Sequence, residues 1–242
     1  CAQMYKFRYH LKVPRPGEEP FYFVYGKIVH KIAETYVECN GERSLGDIKT
    51  DVLRGKIPIE ENKIAPPLPN EYKTKLGNHL RSIQTLTDKI GTKGIVEYKF
   101  KYDLEPPHGR HVTGFIDRLI IKEDKAWILD YKTTKKGKWR ETKDSIKRDP
   151  QLSIYARVVQ REFNIKPSNI STALYYVDGG DLVAASFSEK SLEMIEQKML
   201  NVYKTIEKAD PNKVWGNVGE HCKRCDYCTI CPFYKPRTKS ET

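Results

Sequence analysis

Gly114-Phe115-Ile116-Asp117-Arg118 and Ile128-Leu129-Asp130-Tyr131-Lys132 each set an acid near the end of an apolar run. Residues 112–121 and 126–132 read as strands joined by the short turn Glu123-Asp124-Lys125. Neighbouring strands in a hairpin lie about 5 Å apart, so carboxylates on the two can share one divalent ion. Side chains alternate along a strand, which puts Asp130 and Lys132 on one face and turns Tyr131 into the opposite layer. Phosphodiester hydrolysis needs an activated water and neutralisation of the charge building on phosphorus. Carboxylate-held Mg²⁺ or Mn²⁺ meets both needs. An ammonium two residues along can orient the water and share that charge. A lone Asp-x-Lys reads first as a solvated ion pair at a strand end, so the flanking sequence has to decide.

Before the hairpin, residues 95–102 alternate: Val96, Tyr98, Phe100 and Tyr102 face one way, Glu97, Lys99 and Lys101 the other. Two helices precede it. Residues 21–38 carry Tyr25, Ile28, Val29, Ile32, Ala33, Tyr36 and Val37 at helical spacing, and residues 71–90 carry Leu76, Leu80, Ile83, Leu86 and Ile90. The intervening prolines at 58, 66, 67 and 69 predict a short helix at best, then loop. After the hairpin, Asp149 caps a helix with Pro150 at its first position, running to about Phe163. Strands at 171–177 and 182–187 surround an Asp178-Gly179-Gly180 turn, and Ser188 caps a last helix to about Ala209. This order predicts an α/β fold, a mixed sheet flanked by helices. Its parts are a helical segment 1–94, a core 95–210 and a cysteine-bearing tail 211–242, together making one structural domain.

A formal charge of +11 points to a polyanion partner, against the blander alternative of a lysine-rich surface kept for solubility. No apolar run of about 18 residues is present, so no membrane span is expected, and no apolar core follows Cys1-Ala2-Gln3 as a signal peptide would require. An intracellular protein, cytoplasmic or nucleoid-associated, is expected. Four of the six cysteines, Cys222, Cys225, Cys228 and Cys231, crowd at two-residue intervals, which suits a metal or cluster site better than disulfides. Thiolates so arranged bind either structural Zn²⁺ or a 4Fe–4S cluster. The four can form one local site, or three of them can take a distant ligand. The loop 133–149 carries Lys135, Lys136, Lys138 and Arg140 around Trp139. Cations interleaved with an aromatic suit single-stranded DNA, although a solvated loop with a packed Trp139 reads the same way.

Gly-x-x-Asp on one strand, Asp-Tyr-Lys-Thr on the next and Gln-x-x-x-Tyr on the following helix, with Gly26-Lys27-Ile28-Val29-His30 on an early helix, resemble the RecB-like branch of the PD-(D/E)XK nucleases. The resemblance implies a restriction-endonuclease-like core and a metal-dependent DNA nuclease, with an exonuclease acting on single strands or ends foremost. It makes His30, Asp117, Asp130 and the Tyr131 backbone carbonyl metal ligands, Lys132 the catalytic lysine, Gln151 and Tyr155 positioning groups, and Glu97 an assisting acid. The tail is similar to that of iron–sulfur members of the branch, the AddB subunit and CRISPR-associated exonucleases. That likeness implies a 4Fe–4S cluster on Cys1, Cys222, Cys225 and Cys231 with a structural role, and a helicase, recombination or CRISPR partner protein. Cys228 departs from that pattern, and alanine stands at position 2 where proline is common. Three further readings stay open: a DNA-end-binding module without cleavage, a structure-specific endonuclease, and an iron–sulfur electron carrier.

Overall fold

A computed structural model describes residues 1–105, 109–137 and 140–234. Lys138 and Trp139 of the basic loop therefore lie outside the described residues. Five strands form one sheet in the order β1 (Ile95–Glu105), β2 (Arg110–Lys122), β3 (Lys125–Lys132), β4 (Ile170–Tyr176), β5 (Asp181–Ala185). Every neighbouring pair is antiparallel except β3 and β4, which are parallel. Parallel neighbours need a crossover, and helix α5 (Pro150–Phe163) supplies it. Its start is fixed locally: the Asp149 carboxylate accepts from the Leu152 N–H at 2.8 Å, and Pro150 has no N–H to leave unpaired.

Each face of the sheet is covered. Helices α2 (Phe21–Glu38), α3 (Leu45–Leu53) and α4 (Asn70–Ile90) pack on Leu129, Tyr131, Tyr175 and Val177. The other face, with Phe100, Ile116, Leu119, Ile128 and Leu174, packs on α5 and on Leu192 of α6 (Glu189–Lys208). Each fully buried aliphatic side chain contributes about 1.5–3 kcal/mol, so α2, with eight buried residues, is anchored far beyond its own helix propensity. Arg118 is wholly buried; its guanidinium donates to the Gly91 and Lys93 carbonyls at 2.6 and 2.9 Å, fixing the turn from α4 into β1.

The sheet is irregular at one place. The β2–β3 register runs from Lys122↔Lys125 to Arg118↔Leu129 and stops, while β3 continues against β4 to Lys132↔Tyr176. Ile116 and Leu119 both face the α5 core although residues three apart on a regular strand point oppositely. On β1, Val96 and Tyr98 pair with Arg118 and Ile116, and Glu97 between them has φ 46°. One residue on each strand, Glu97 and Asp117, thus leaves the ladder at the same level.

The compact unit just described is Phe21–Leu200. A second unit combines Cys1–Pro20 with the described residues from Asn201 on. There α1 (Ala2–Tyr5) runs into a wider π-helical turn, Lys6–His10. Phe7 packs on Tyr227 (centroids 5.4 Å apart), the Tyr227 hydroxyl donates to the Val13 carbonyl at 3.1 Å, and Arg15 pairs with Asp226 at 2.9 Å. Among the described residues, no helix is long and apolar enough to cross a membrane.

Candidate active site

The irregularity in the sheet is where the acids gather. His30 lies on the polar stripe of α2, and its Nδ1 is 3.4 Å from Asp117 Oδ2. The same Asp117 oxygen accepts the Tyr131 backbone N–H at 2.7 Å, a donor that β2 would have taken had the ladder continued. One donor atom each from His30, Glu97 and Asp117 lies within 4.8 Å of the other two, the one such grouping among the described residues. Glu97 reaches it from a left-handed backbone conformation that costs an ordinary residue about 1–3 kcal/mol. Asp130 lies outside that tight group, on the α5 side of β3. It is almost fully buried, with Oδ2 in an ion pair with Lys132 Nζ at 2.5 Å.

Charge and burial act on these groups together. Burial and the neighbouring Asp117 push the Asp130 carboxyl up to about 6. Burial and Asp117 also raise Glu97. Asp117 is itself held below its ordinary range: burial works against its ionised form, but His30 and the Tyr131 N–H outweigh it. Burial opposes a charged His30, yet Asp117, with Asp130 and Glu97 behind it, carries the imidazole up to about 9. Lys132 is likewise raised, burial being overcome by Asp130. The pocket therefore draws cations. Its donor set of two or three carboxylates and one imidazole fits a divalent ion such as Mg²⁺ or Mn²⁺.

Lys132 is held from the far side by α5. Its Nζ donates to Gln151 Oε1 at 3.1 Å, and Gln151 Nε2 donates to the Tyr155 hydroxyl at 2.7 Å. Gln151 and Tyr155 are one turn apart on one helix face. Tyr155 is 7% exposed and meets Phe100 edge-on with centroids 5.8 Å apart. It is thus a core residue and a partner of the site at once. Phe100 in turn lies over Gly114, where a Cβ would come 2.6 Å from its ring.

Of the basic loop, Lys135 and Lys136 are exposed. Arg140 departs from the expectation of a free DNA contact. Its guanidinium pairs with Asp181 at 2.6 Å, bonds the Asp178 carbonyl and the Thr134 carbonyl, and lies over the Tyr176 ring. It is a staple for the loop because two acids of the β4–β5 turn reach it first. Lys31 and Glu34, an ion pair on α2 whose charges act on Glu97, are marked in the sequence only by their spacing of one and four residues from His30. Buried His79 bonds the Tyr25 hydroxyl at 2.7 Å and faces Asp178 at 3.9 Å, partners that no local pattern announces.

In the second unit, Cys1, Cys222, Cys225, Cys228 and Cys231 all line one cavity of about 250 Å³. None is in a disulfide. Cys222 is buried, and its sulfur accepts the Gly219 N–H at 3.5 Å.

No curated protein matches the sequence. Among solved structures, a candidate exonuclease from Eubacterium rectale is 13% identical with a TM-score of 0.49, the alignment covering 100% of this chain and 92% of that one. SSO0001 is 15% identical with a TM-score of 0.38, covering 97% and 96%. The sequence profile of the PD-(D/E)XK nuclease superfamily matches residues 1–232, a span that takes in the acid-bearing strands and all six cysteines. The chain belongs to the PD-(D/E)XK nuclease superfamily.

Proposed function

We propose that the protein is a divalent-metal-dependent deoxyribonuclease, an exonuclease acting on single-stranded DNA or DNA ends. The observation that carries this reading is the convergence of His30, Glu97 and Asp117 beside the Asp130–Lys132 pair. His30, Asp117 and Asp130 would hold the ion, with Glu97 and the Tyr131 carbonyl as further donors. A Mg²⁺ or Mn²⁺ ion there supplies a water of lowered pKa and a clamp on the phosphate. Lys132, kept charged by Asp130 and aimed by Gln151, orients the attacking water and offsets the charge growing on the phosphoryl oxygens. Tyr155 fixes Gln151 and so the lysine. The net charge of +11 and the exposed Lys135 and Lys136 favour a polyanion, with Lys138 and Trp139 proposed to extend that contact along the strand.

The second unit is proposed to hold a 4Fe–4S cluster on Cys1, Cys222, Cys225 and Cys231. Thiols gathered around one cavity suit such a cluster, with a zinc ion as the competing occupant, and Cys228 on the same wall is the competing fourth ligand. By tying residue 1 to residue 231 the cluster restrains the unfolded chain, a structural role.

The test is cleavage of end-labelled single- and double-stranded DNA by anaerobically purified protein, with Mg²⁺, Mn²⁺ or EDTA, beside Lys132→Ala. Metal-dependent loss of label that vanishes in the variant is expected, with covalently closed circles left intact. Cut circles would make it an endonuclease. DNA binding without any cleavage by wild-type protein would overturn the nuclease reading in favour of an end-binding module.

A further inference from the structure

The solvent-facing stripe of α2 extends beyond His30. Phe23 stands seven residues before it, two turns along and on nearly the same side, about 10 Å away along the axis. Gly26 lies between them on that stripe, and Glu34 follows. Phe23 is 48% exposed and lies against Tyr22, itself 50% exposed, with ring centroids 4.4 Å apart and planes tilted by 37°. Isolated exposed aromatics are ordinary on protein surfaces. Gly26 is what makes this stretch different. Glycine is among the poorest helix formers, and this one sits inside an 18-residue helix without a left-handed φ. Packing does not require it either: a Cβ there would meet only the Thr133 hydroxyl, at an ordinary 3.7 Å. A helix glycine with neither reason leaves room for something outside the fold to approach the backbone. Thr133 directly follows Lys132, so the open strip of helix runs alongside the proposed catalytic strand.

We propose that Phe23 and Gly26 form the subsite for the nucleotides flanking the scissile phosphate: the sugar–phosphate chain crosses α2 over Gly26 and a base stacks on the Phe23 ring. This rests on the nuclease reading and narrows it. A base inside a duplex already stacks on both faces, so only an unstacked base, in a single strand or a frayed end, can use the ring. The 10 Å between Phe23 and His30 corresponds to about three base steps in a stacked strand, and fewer in an extended one. The stacked base therefore lies within three nucleotides of the cut.

Two measurements test this. In the first, kcat and KM are determined on a short single-stranded oligonucleotide. Phe23→Ala is expected to raise KM about tenfold with kcat little changed, the effect of one lost base–aromatic stack, and Phe23→Tyr to restore it. Gly26→Leu, which fills the strip but favours the helix, is expected to lose single-strand binding without lowering the melting temperature. In the second, 2-aminopurine is placed at each of the three positions nearest the cut and bound to Lys132→Ala protein. One position is expected to be quenched, and the quenching to disappear when Phe23→Ala is added. Wild-type KM in Phe23→Ala, with the same fluorescence at all three positions, overturns the subsite while leaving the nuclease reading intact. A wild-type protein that cleaves nothing in either metal overturns both.

Discussion

Replacing Asp130 by Asn should make the metal-free protein more stable while abolishing its chemistry. Asp130 is 2% exposed, and burial together with Asp117 lifts its carboxyl from an ordinary 3.8 to about 6. At 1.36 kcal/mol per tenfold change, that rise amounts to about 3 kcal/mol against the ionised form above pH 7. Between about pH 4 and 6 the folded chain keeps a proton on Asp130 that the unfolded chain has released, so this group's contribution falls as pH rises through that window. Asn, with the shape of the protonated acid, escapes the penalty. Urea unfolding in EDTA should therefore show wild type and Asp130→Asn alike at pH 4, and the variant ahead by up to about 3 kcal/mol at pH 7.5. With Mn²⁺ at about 100 times its Kd the wild type should gain about 2.7 kcal/mol and close the gap, and the variant should gain far less. An Asn variant no more stable than wild type at pH 7.5, or ahead by the same margin at pH 4, would refute the claim that a carboxylate is held there under strain.

Three other perturbations follow from the same geometry. His30 carries a proton up to about pH 9 when no metal is bound, so metal binding at pH 7.5 should release about one proton, measured by calorimetry in buffers of different ionisation enthalpy, and His30→Ala should lose that release. In the metal-free chain the stability contributed by protonated His30 against Asp117 is complete below about pH 6.5 and is lost as pH rises towards 9, so His30→Ala should flatten the decline of melting temperature across that range. Gly114→Ala drives a Cβ to 2.6 Å from the Phe100 ring and should cost about 1–3 kcal/mol in urea unfolding; kcat should fall further than stability alone explains, because Phe100 supports Tyr155, Gln151 and Lys132 in turn. Cys225→Ala should lose the brown colour and the bound iron, and separate Cys1→Ala and Cys228→Ala proteins should identify the fourth ligand by which of them loses iron; a colourless wild type carrying zinc would overturn the cluster.

The elements of this fold were legible because each is written in local chemistry. The α2 stripe, the Asp149–Pro150 start of α5 and the Asp178-Gly179-Gly180 turn are set by periodicity, capping and backbone freedom within a few residues. His30, Asp117, Asp130 and Lys132 were legible as a pattern, since a strand's alternation already puts Asp130 and Lys132 on one face. Other features depended on long-range partners. Arg140 reads as one more cation in a basic loop, and only the fold brings Asp178 and Asp181 to it. Glu97 reads as an unremarkable acid on a polar strand face, and alternation alone would leave it among lysines. It reaches His30 and Asp117 because the β1–β2 ladder gives up one residue on each strand at that level. A periodic reading assumes regular strands, and the site exists where that regularity fails. The failure has a physical reason: a continuous ladder would have taken the Tyr131 N–H for β2 and turned Asp117 back into the sheet's alternation. Parting the strands lets the carboxylate replace the lost backbone partner, so one oxygen of Asp117 both closes the gap in the sheet and faces the imidazole.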